Sequence, residues 1–263
     1  MDSYRLLAPV IDTDQYMVWL YRLVASKRAR FVTARITGDL LGQEDRLLAR
    51  YGAQAIVNAT GLGSYQLAAD TTVTPLRGAL IRVVNDGSRF PKVEQALAVS
   101  HDDSNGADAE DIVFIVPRNN NVLILGGMSS FLLCRLLSSL LNHRPAPFLG
   151  LVQPNVHSLD LTLDSPEIIR MRERCNHFVP GLENAQLDDR PLVQGLRPFR
   201  GSNVRVEREQ RRKLDGSKSR TVHSYGQGGS GFTLSFGCAQ DVLRFVNEVA
   251  IEAPVSIMER ANL

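Results

Sequence analysis

Residues 222–238, VHSYGQGGSGFTLSFGC, constrain the fold more than any other stretch of the chain. Four glycines, Gly226, Gly228, Gly229 and Gly231, stand there between a strand-like run and a helix-like one. Lacking a Cβ, they can take φ > 0 or let the backbone approach a ligand closely. After them Leu234, Cys238, Val242, Phe245, Val246 and Val249 recur every three to four residues, which predicts a helix with one apolar face. The glycines therefore lead into a helix N-terminus, whose free N–H groups suit a negative ligand. Residues 55–61, AIVNATG, read as a buried parallel strand ending in a turn, where α/β sheets place ligands.

Other elements follow from local pattern. Asp12 or Thr13 can cap a helix to about Ser26, with Tyr16, Trp19, Leu20, Leu23 and Val24 on a core face. Residues 29–36 alternate as a strand, and residues 44–51 read as a second helix. Residues 74–84 form a strand, and residues 111–118 and 122–127 form a hairpin about the turn residues 119–121. Ser165-Pro166-Glu167 open a helix that carries Ile168, Met171 and Cys175 inward. Residues 193–200 and 203–208 supply the last strands before the glycines.

Composition excludes several function classes. At 263 residues the chain holds one large domain or two small ones without a staple. A net charge of +2 and scattered arginines argue against a nucleic-acid partner, and residues 208–213, REQRRK, read as a solvated hairpin end. Cys134, Cys175 and Cys238 show neither even pairing nor CxxC spacing, so a reducing compartment is expected. The five histidines are isolated and read as surface or packing residues, so no metal is expected. The start, MDSYRLLAP, shows no secretory signal, and the apolar run in residues 128–150 is too short and broken to span a membrane.

Three motifs stand in one order over about fifty residues: Gln194-Gly195-Leu196-Arg197-Pro198, the alternating run 204–209, and the glycine stretch. Together they resemble the C-terminal part of the FAD-dependent D-amino-acid oxidase and D-aspartate oxidase family, fungal-type. Residues 55–61, 74–84 and 111–127 resemble further family strands. The resemblance implies a mixed α/β fold: a partial Rossmann-like FAD-binding domain beside a substrate domain built on a mixed antiparallel sheet. It divides the chain into 1–73 (partial FAD-binding domain), 74–200 (substrate domain) and 201–263 (return to the FAD-binding domain and the last helix). Residues 128–150 interrupt it, as an insert or as unremoved intron sequence; a transcript across codons 127–151 separates the two.

The resemblance also implies the chemistry, which is oxidative deamination of a D-amino acid by FAD and dioxygen to a 2-oxo acid, ammonia and hydrogen peroxide. Ala29, Thr60, Gly61, Gly228, Gly229, Ser230, Gly231, Phe232 and Thr233 match cofactor contacts. Arg197 would bind the substrate carboxylate bidentately, and the Gly229 carbonyl would meet the amine. Phe114 stands where family members carry a substrate-binding tyrosine, so one hydroxyl donor is lost. The loop 101–110 falls where the family has an active-site lid, and no acid–base side chain is required.

No GxGxxG follows a strand near the start, so the chain is expected to lack the first βαβ unit, which anchors the flavin diphosphate. The resemblance covers roughly two-thirds of a family member, and the alternative reading is an inactive remnant that binds a partner. D-aspartate-oxidase or glycine-oxidase-like specificity is a further alternative, with His101 and Arg118 read as solvated. Ala261-Asn262-Leu263 resemble a C-terminal peroxisomal signal, which implies an import receptor as partner and the peroxisome as location; a homodimer is left open.

Overall fold

The computed structural model describes residues 5–100, 112–128, 151–154 and 157–252. The expectations placed on the lid-like loop 101–110, on the insert beyond Met128 and on Ala261-Asn262-Leu263 lie outside the described residues. In chain order the helices are α1 (Thr13–Ser26), α2 (Leu40–Tyr51), α3 (Ser64–Leu67), α4 (Pro166–Phe178) and α5 (Gly231–Glu252). The strands are β1 (Ile56–Asn58), β2 (Val73–Val84), β3 (Leu97–Ser100), β4 (Ile112–Arg118), β5 (Val122–Met128), β6 (Leu151–Pro154), β7 (Leu187–Arg200), β8 (Arg205–Arg208) and β9 (Thr221–Tyr225). Helices with one mixed and one antiparallel-rich sheet make the fold mixed α/β, as expected.

The chain divides into two compact units. Unit 1 comprises the described parts of Met1–Ala34, Arg77–Gln153 and Ser158–Gly195; unit 2 comprises those of Arg35–Leu76, Pro154–His157 and Leu196–Leu263. Boundaries fall inside β2, β6 and β7, and also after Ala34 and His157.

The described strands β3-β4-β5-β2-β6 form one sheet in that order, with β7 also pairing β2. The hairpin forms where alternation predicts it, with Phe114 opposite Gly126 and Arg118 opposite Val122. Asn120 and Asn121 take φ of 58° and 54° in its turn, a left-handed backbone that Asn tolerates better than most residues. Alternation then sorts the two faces. Val113, Ile115, Leu123, Leu125, Ile81 and Val83 point to the face on which α4 lays Ile168, Met171 and Cys175, all as predicted. Each such side chain contributes about 1.5–3 kcal/mol by leaving water. Phe114, Val122 and Ile124 cluster on the other face with Leu80 and Val116.

Three expectations in the N-terminal region are corrected. Helix α1 forms with Asp12 as its cap, but it buries no residue, and Trp19 is 53% exposed. Its apolar spacing specifies a face without supplying anything to cover it. Residues 29–36 are not a strand, since no described strand pairs with them and they are exposed. In β1, Val57 is 47% exposed, so the strand is not buried on both faces.

Unit 2 is built on the sheet β1-β9-β8. Strand β1 runs parallel to β9 with Asn58 opposite His223, and β8 runs antiparallel to β9 with Glu207 opposite His223. Helix α2 starts earlier than predicted because Asp39 caps it, accepting from the Leu41 N–H at 3.0 Å, and Gly52 ends it in the left-handed region. Leu40 and Leu47 pack with Leu67, Tyr51 and Ile56. The buried Glu44 carboxylate of α2 accepts from the Ser219 hydroxyl and from the Arg220 N–H and Thr221 hydroxyl, both at 2.9 Å, which ties α2 to the start of β9. Helix α5 follows the glycines as predicted. Of its predicted stripe Val249 is buried, Cys238, Val242, Phe245 and Val246 are half-buried, and Leu234 is exposed. No helix among the described residues is long and apolar enough to cross a membrane.

Candidate functional site

Unit 2 gathers three of the sequence motifs around two glycines. Gly226, directly after β9, has φ +89°, and a Cβ there would stand 2.7 Å from Cβ of Arg200. No side chain fits, so the end of β7 lies against the glycine stretch, and Phe199 makes an antiparallel bridge to Gln227. Gly61 has φ +57°, and its Cβ would stand 3.2 Å from Cγ of Pro198. The turn at Thr60 and Gly61, the Arg197-Pro198 segment and the glycine stretch therefore meet in one unit.

The predicted residues take these places. Gly228, Gly229 and Ser230 form a single 3₁₀ turn, with Gly228 at φ 55°, and Gly231, Phe232 and Thr233 make the first turn of α5. Gly229, Gly231, Phe232 and Thr233 are exposed. The backbone N–H groups of a first helical turn are available to an acceptor, and the helix dipole favours negative charge there. Arg197 is half-buried, and burial pushes its pKa down. A guanidinium partly withdrawn from water gains most from a carboxylate that forms two parallel hydrogen bonds with it. Ala29 and Phe114 belong to unit 1. Ala29 is exposed in an irregular run, while the Phe114 ring is buried and covers Gly126.

Beneath the glycine stretch lies a buried polar network that the sequence reading missed. Arg205, Glu207 and Glu209 alternate with Thr221, His223 and Tyr225 on one face of β8 and β9, and Asn58 joins them from β1. His223 is fully buried and Asn58 nearly so. Asn58 Oδ1 accepts from the Thr60 N–H at 3.2 Å and the Thr60 hydroxyl at 2.7 Å, and its Nδ2 contacts His223 Nδ1 at 3.2 Å. His223 Nε2 reaches Glu209 Oε2 at 3.2 Å, which also accepts from Arg211 at 2.6 Å. A second arm holds Arg200, the side chain that Gly226 packs against. Asp70 accepts from Arg200 Nε and the Tyr225 hydroxyl, each at 2.8 Å, and Arg205 donates to that hydroxyl at 2.7 Å.

Two expectations are corrected, one by this network and one by Arg118 in unit 1. The run 208–213 is not simply solvated: Glu209 is 5% exposed, and Arg211 bonds both Glu209 and Asp39. Arg118, read as solvated, is half-buried, with Nη1 out of contact with solvent. His223 does act within the packed interior, though it holds a hydrogen-bond chain rather than a plain contact. Among the described residues no group of three or more His, Cys, Asp or Glu could hold a metal ion.

Charge in this interior is set by hydrogen bonding. For Glu209, burial pushes the pKa up, but bonds from His223 and Arg211 outweigh it and hold the carboxyl well below the usual range. For Asp70, burial is outweighed in the same way by Thr72, Arg200 and Tyr225. Burial, helped by the bond to Asp70 and opposed by Arg205, pushes the Tyr225 hydroxyl up to about 12. Both carboxyls have depressed folded-state pKa values, so the unfolded chain takes up protons first as pH falls. Stability is therefore expected to be level above about pH 5.5 and to fall below about pH 4, by about 1.4 kcal/mol per pH unit for each carboxyl. Urea unfolding at neutral and acid pH measures this, and an acid-insensitive midpoint would remove Asp70 and Glu209 as stabilising groups.

The chain belongs to the FAD-dependent oxidoreductase family whose sequence profile matches residues 7–244. It is 31% identical over 240 residues to a D-amino-acid oxidase of Rubrobacter xylanophilus, covering 91% of this chain and 58% of that protein. It is 30% identical over 199 residues to a D-amino acid oxidase of Dugesia ryukyuensis (75% of this chain, 47% of that one), and 26% identical over 246 residues to a D-aspartate oxidase of Homo sapiens (93% and 57%). The chain thus spans about half the length of the curated relatives it matches. Its fold is similar to that of a glycine oxidase from Geobacillus kaustophilus, with a TM-score of 0.52 at 18% identity over 74% of this chain and 42% of that one.

FAD is the cofactor of this family, and the residues of unit 2 fit it in two respects. Gly61 and Gly226 hold positive φ values, +57° and +89°, that side chains rarely adopt, so both turns present bare main chain. The exposed first turn of α5 offers N–H groups beside them to a group that gains negative charge.

Proposed function

We propose that this chain carries the FAD-binding and substrate-binding elements of a D-amino-acid oxidase, acting on a small D-amino acid with dioxygen as acceptor. The convergence of the Thr60 and Gly61 turn, Arg197 and the glycine stretch in unit 2 carries the reading. Arg197 binds and orients the substrate α-carboxylate through two parallel hydrogen bonds. The Gly229 carbonyl accepts from the neutral amine and so holds the Cα–H in one direction. Backbone N–H groups from Gly231 to Thr233, with the Thr233 hydroxyl, stabilise negative charge that develops beside them. FAD held by these residues would supply a two-electron acceptor for the Cα hydride and hand the pair to dioxygen, with the former Cα hydrogen and one amine proton leaving in hydrogen peroxide. The imino acid then adds water and releases ammonia to give the 2-oxo acid.

The test is to gel-filter the 263-residue chain with added FAD and record the visible flavin spectrum before and after anaerobic D-alanine. Retained flavin that bleaches supports the oxidase. A folded chain that retains none is a binding protein or a fragment, and the reading fails for it. Arg197→Met is expected to keep the flavin and to raise the D-alanine concentration needed for bleaching about a hundredfold, from two lost charge-assisted bonds. Bleaching at an unchanged concentration would remove Arg197 from the substrate site. D-aspartate in place of D-alanine separates acidic from neutral specificity in the same assay.

A further inference from the structure

Asn58 has one orientation open to it. The Thr60 backbone N–H can only donate, so the Asn58 atom 3.2 Å from it is the amide oxygen. The amide nitrogen then faces His223 Nδ1 at 3.2 Å, and because that NH₂ can only donate, Nδ1 must accept. The ring proton is left on Nε2, where it donates to Glu209 Oε2 at 3.2 Å. Every donor in this chain points from Thr60 towards Glu209, whose charge is balanced by Arg211 at 2.6 Å and Arg205 at 3.5 Å. Ser64 closes the chain beside Asn58, at 3.2 Å from Nδ2 and 3.1 Å from the Thr60 hydroxyl.

We propose that Asn58, His223 and Glu209 form a positioning relay that holds the turn at Thr60 and Gly61 in the conformation that faces the flavin; its link to flavin rests on the function proposed above. The relay acts through Thr60, whose N–H and hydroxyl it engages together, and so keeps Gly61 at φ +57° against Pro198. These are positioning residues, since none of them needs to touch substrate or cofactor.

The surroundings of His223 make the relay testable by pH. Strand β8 and the residues after it bring Arg205, Glu207, Glu209 and Arg211. Within β9 the Tyr225 ring stands edge-on at 5.6 Å. Strand β1 and α3 bring the neutral Asn58 and Ser64; α2 brings Glu44, which bonds Ser219 and Thr221, and α5 brings Glu252, which pairs with Arg208 and Lys218. Asn58→Asp keeps the oxygen that Thr60 needs but turns an acceptor towards Nδ1. Both ring contacts are then satisfied only when His223 carries both ring protons between the two carboxylates; a neutral ring keeps one and sets a lone pair against a carboxylate at the other.

The test uses the full chain and needs no cofactor for its first readout: imidazole ¹⁵N shifts of His223 and amide exchange at Thr60, corrected for intrinsic rate. The wild type is expected to show the ring proton on Nε2, as the geometry sets it, and level Thr60 protection from about pH 6 to about pH 9. Asn58→Asp is expected to match it at about pH 6 with a doubly protonated ring, then to lose about tenfold in protection by about pH 9. Asn58→Leu should lose about tenfold at every pH, and should it fail to fold, the pH profile of Asn58→Asp decides alone. A wild-type ring protonated on Nδ1, a level profile in Asn58→Asp, or wild-type protection in a folded Asn58→Leu each overturns the relay. FAD retention should follow Thr60 protection across the variants. Expected exchange behaviour in a wild-type chain that retains no flavin supports the relay and removes the flavin reading instead.

Discussion

Asp70→Ala is expected to destabilise the protein by about 3–5 kcal/mol, the range for breaking a buried ion pair by removing one partner. The Asp70 side chain is 6% exposed and accepts from Arg200 Nε, the Tyr225 hydroxyl and the Thr72 N–H and hydroxyl. Without it, Arg200 and Arg205, whose side chains are 20% and 12% exposed, lose an anion while staying partly desolvated. Arg200 is also the side chain against which Gly226 packs, so the loss reaches the glycine stretch directly. Asp70→Asn keeps the Thr72 bonds and removes the charge, and it should fall between wild type and alanine. Urea unfolding at neutral pH measures both. A cost below about 1 kcal/mol for the alanine variant would place the pair among weak surface bridges.

Gly126→Ala is the second large effect, at about 3 kcal/mol. A Cβ on Gly126 would run into the Phe114 ring, which is buried opposite it in the β4–β5 hairpin and cannot swing away without leaving its cluster of Val122, Ile124, Leu80 and Val116. Phe114→Ala alone should cost about 3–4 kcal/mol as a buried aromatic truncation. The double variant is expected to be about 2 kcal/mol more stable than the sum, because the ring that the methyl group strikes is gone. Strict additivity would mean that the glycine is there for another reason. Whatever Phe114 does towards a substrate, its ring has a packing task that a smaller side chain could not perform.

These two sites differ in how far the sequence discloses them. The hairpin, α4 and the glycine-to-helix passage were legible because their signals are local. They rest on alternation with a turn between, a proline at the first helical position, and small residues before a 3.6-residue period. The convergence of Arg197 with the glycines was legible through resemblance rather than through spacing, since contact between residues 197–200 and 226–227 is a property of sheet pairing. Helix α1 shows the limit of periodicity, because an apolar face names its own residues and not its cover. The strand expected at residues 29–36 failed similarly: alternation provides a strand, and a sheet still has to supply a neighbour.

The polar network was hidden for a further reason. Arg205, Glu207 and Glu209 on every second position look like the wet face of an edge strand. What makes that face an interior is Asp39, Asn58 and Asp70, more than a hundred residues away in sequence. A signal was present in the mixture of opposite charges on one strand and His223 and Tyr225 at matching positions on the next. Two strands that pool cations, anions and hydrogen-bonding rings on one side can satisfy one another without water.

The parallel pairing of β1 with β9 also governs the order of events in synthesis. Asn58 and His223 are separated by 165 positions, and the donors to Glu44 lie on residues 219–221, 175 or more further along. Until those residues leave the ribosome, the segment 35–76 has a free strand edge and two polar side chains whose native partners do not yet exist. Unit 1, whose cluster closes largely through residues 79–185, can collect its core earlier. Growth of the chain thus favours one unit completing while the other is held as an open clasp, snapped shut by the late arrival of β9. Any agent that slows translation near the end lengthens the time during which that clasp can catch a foreign strand.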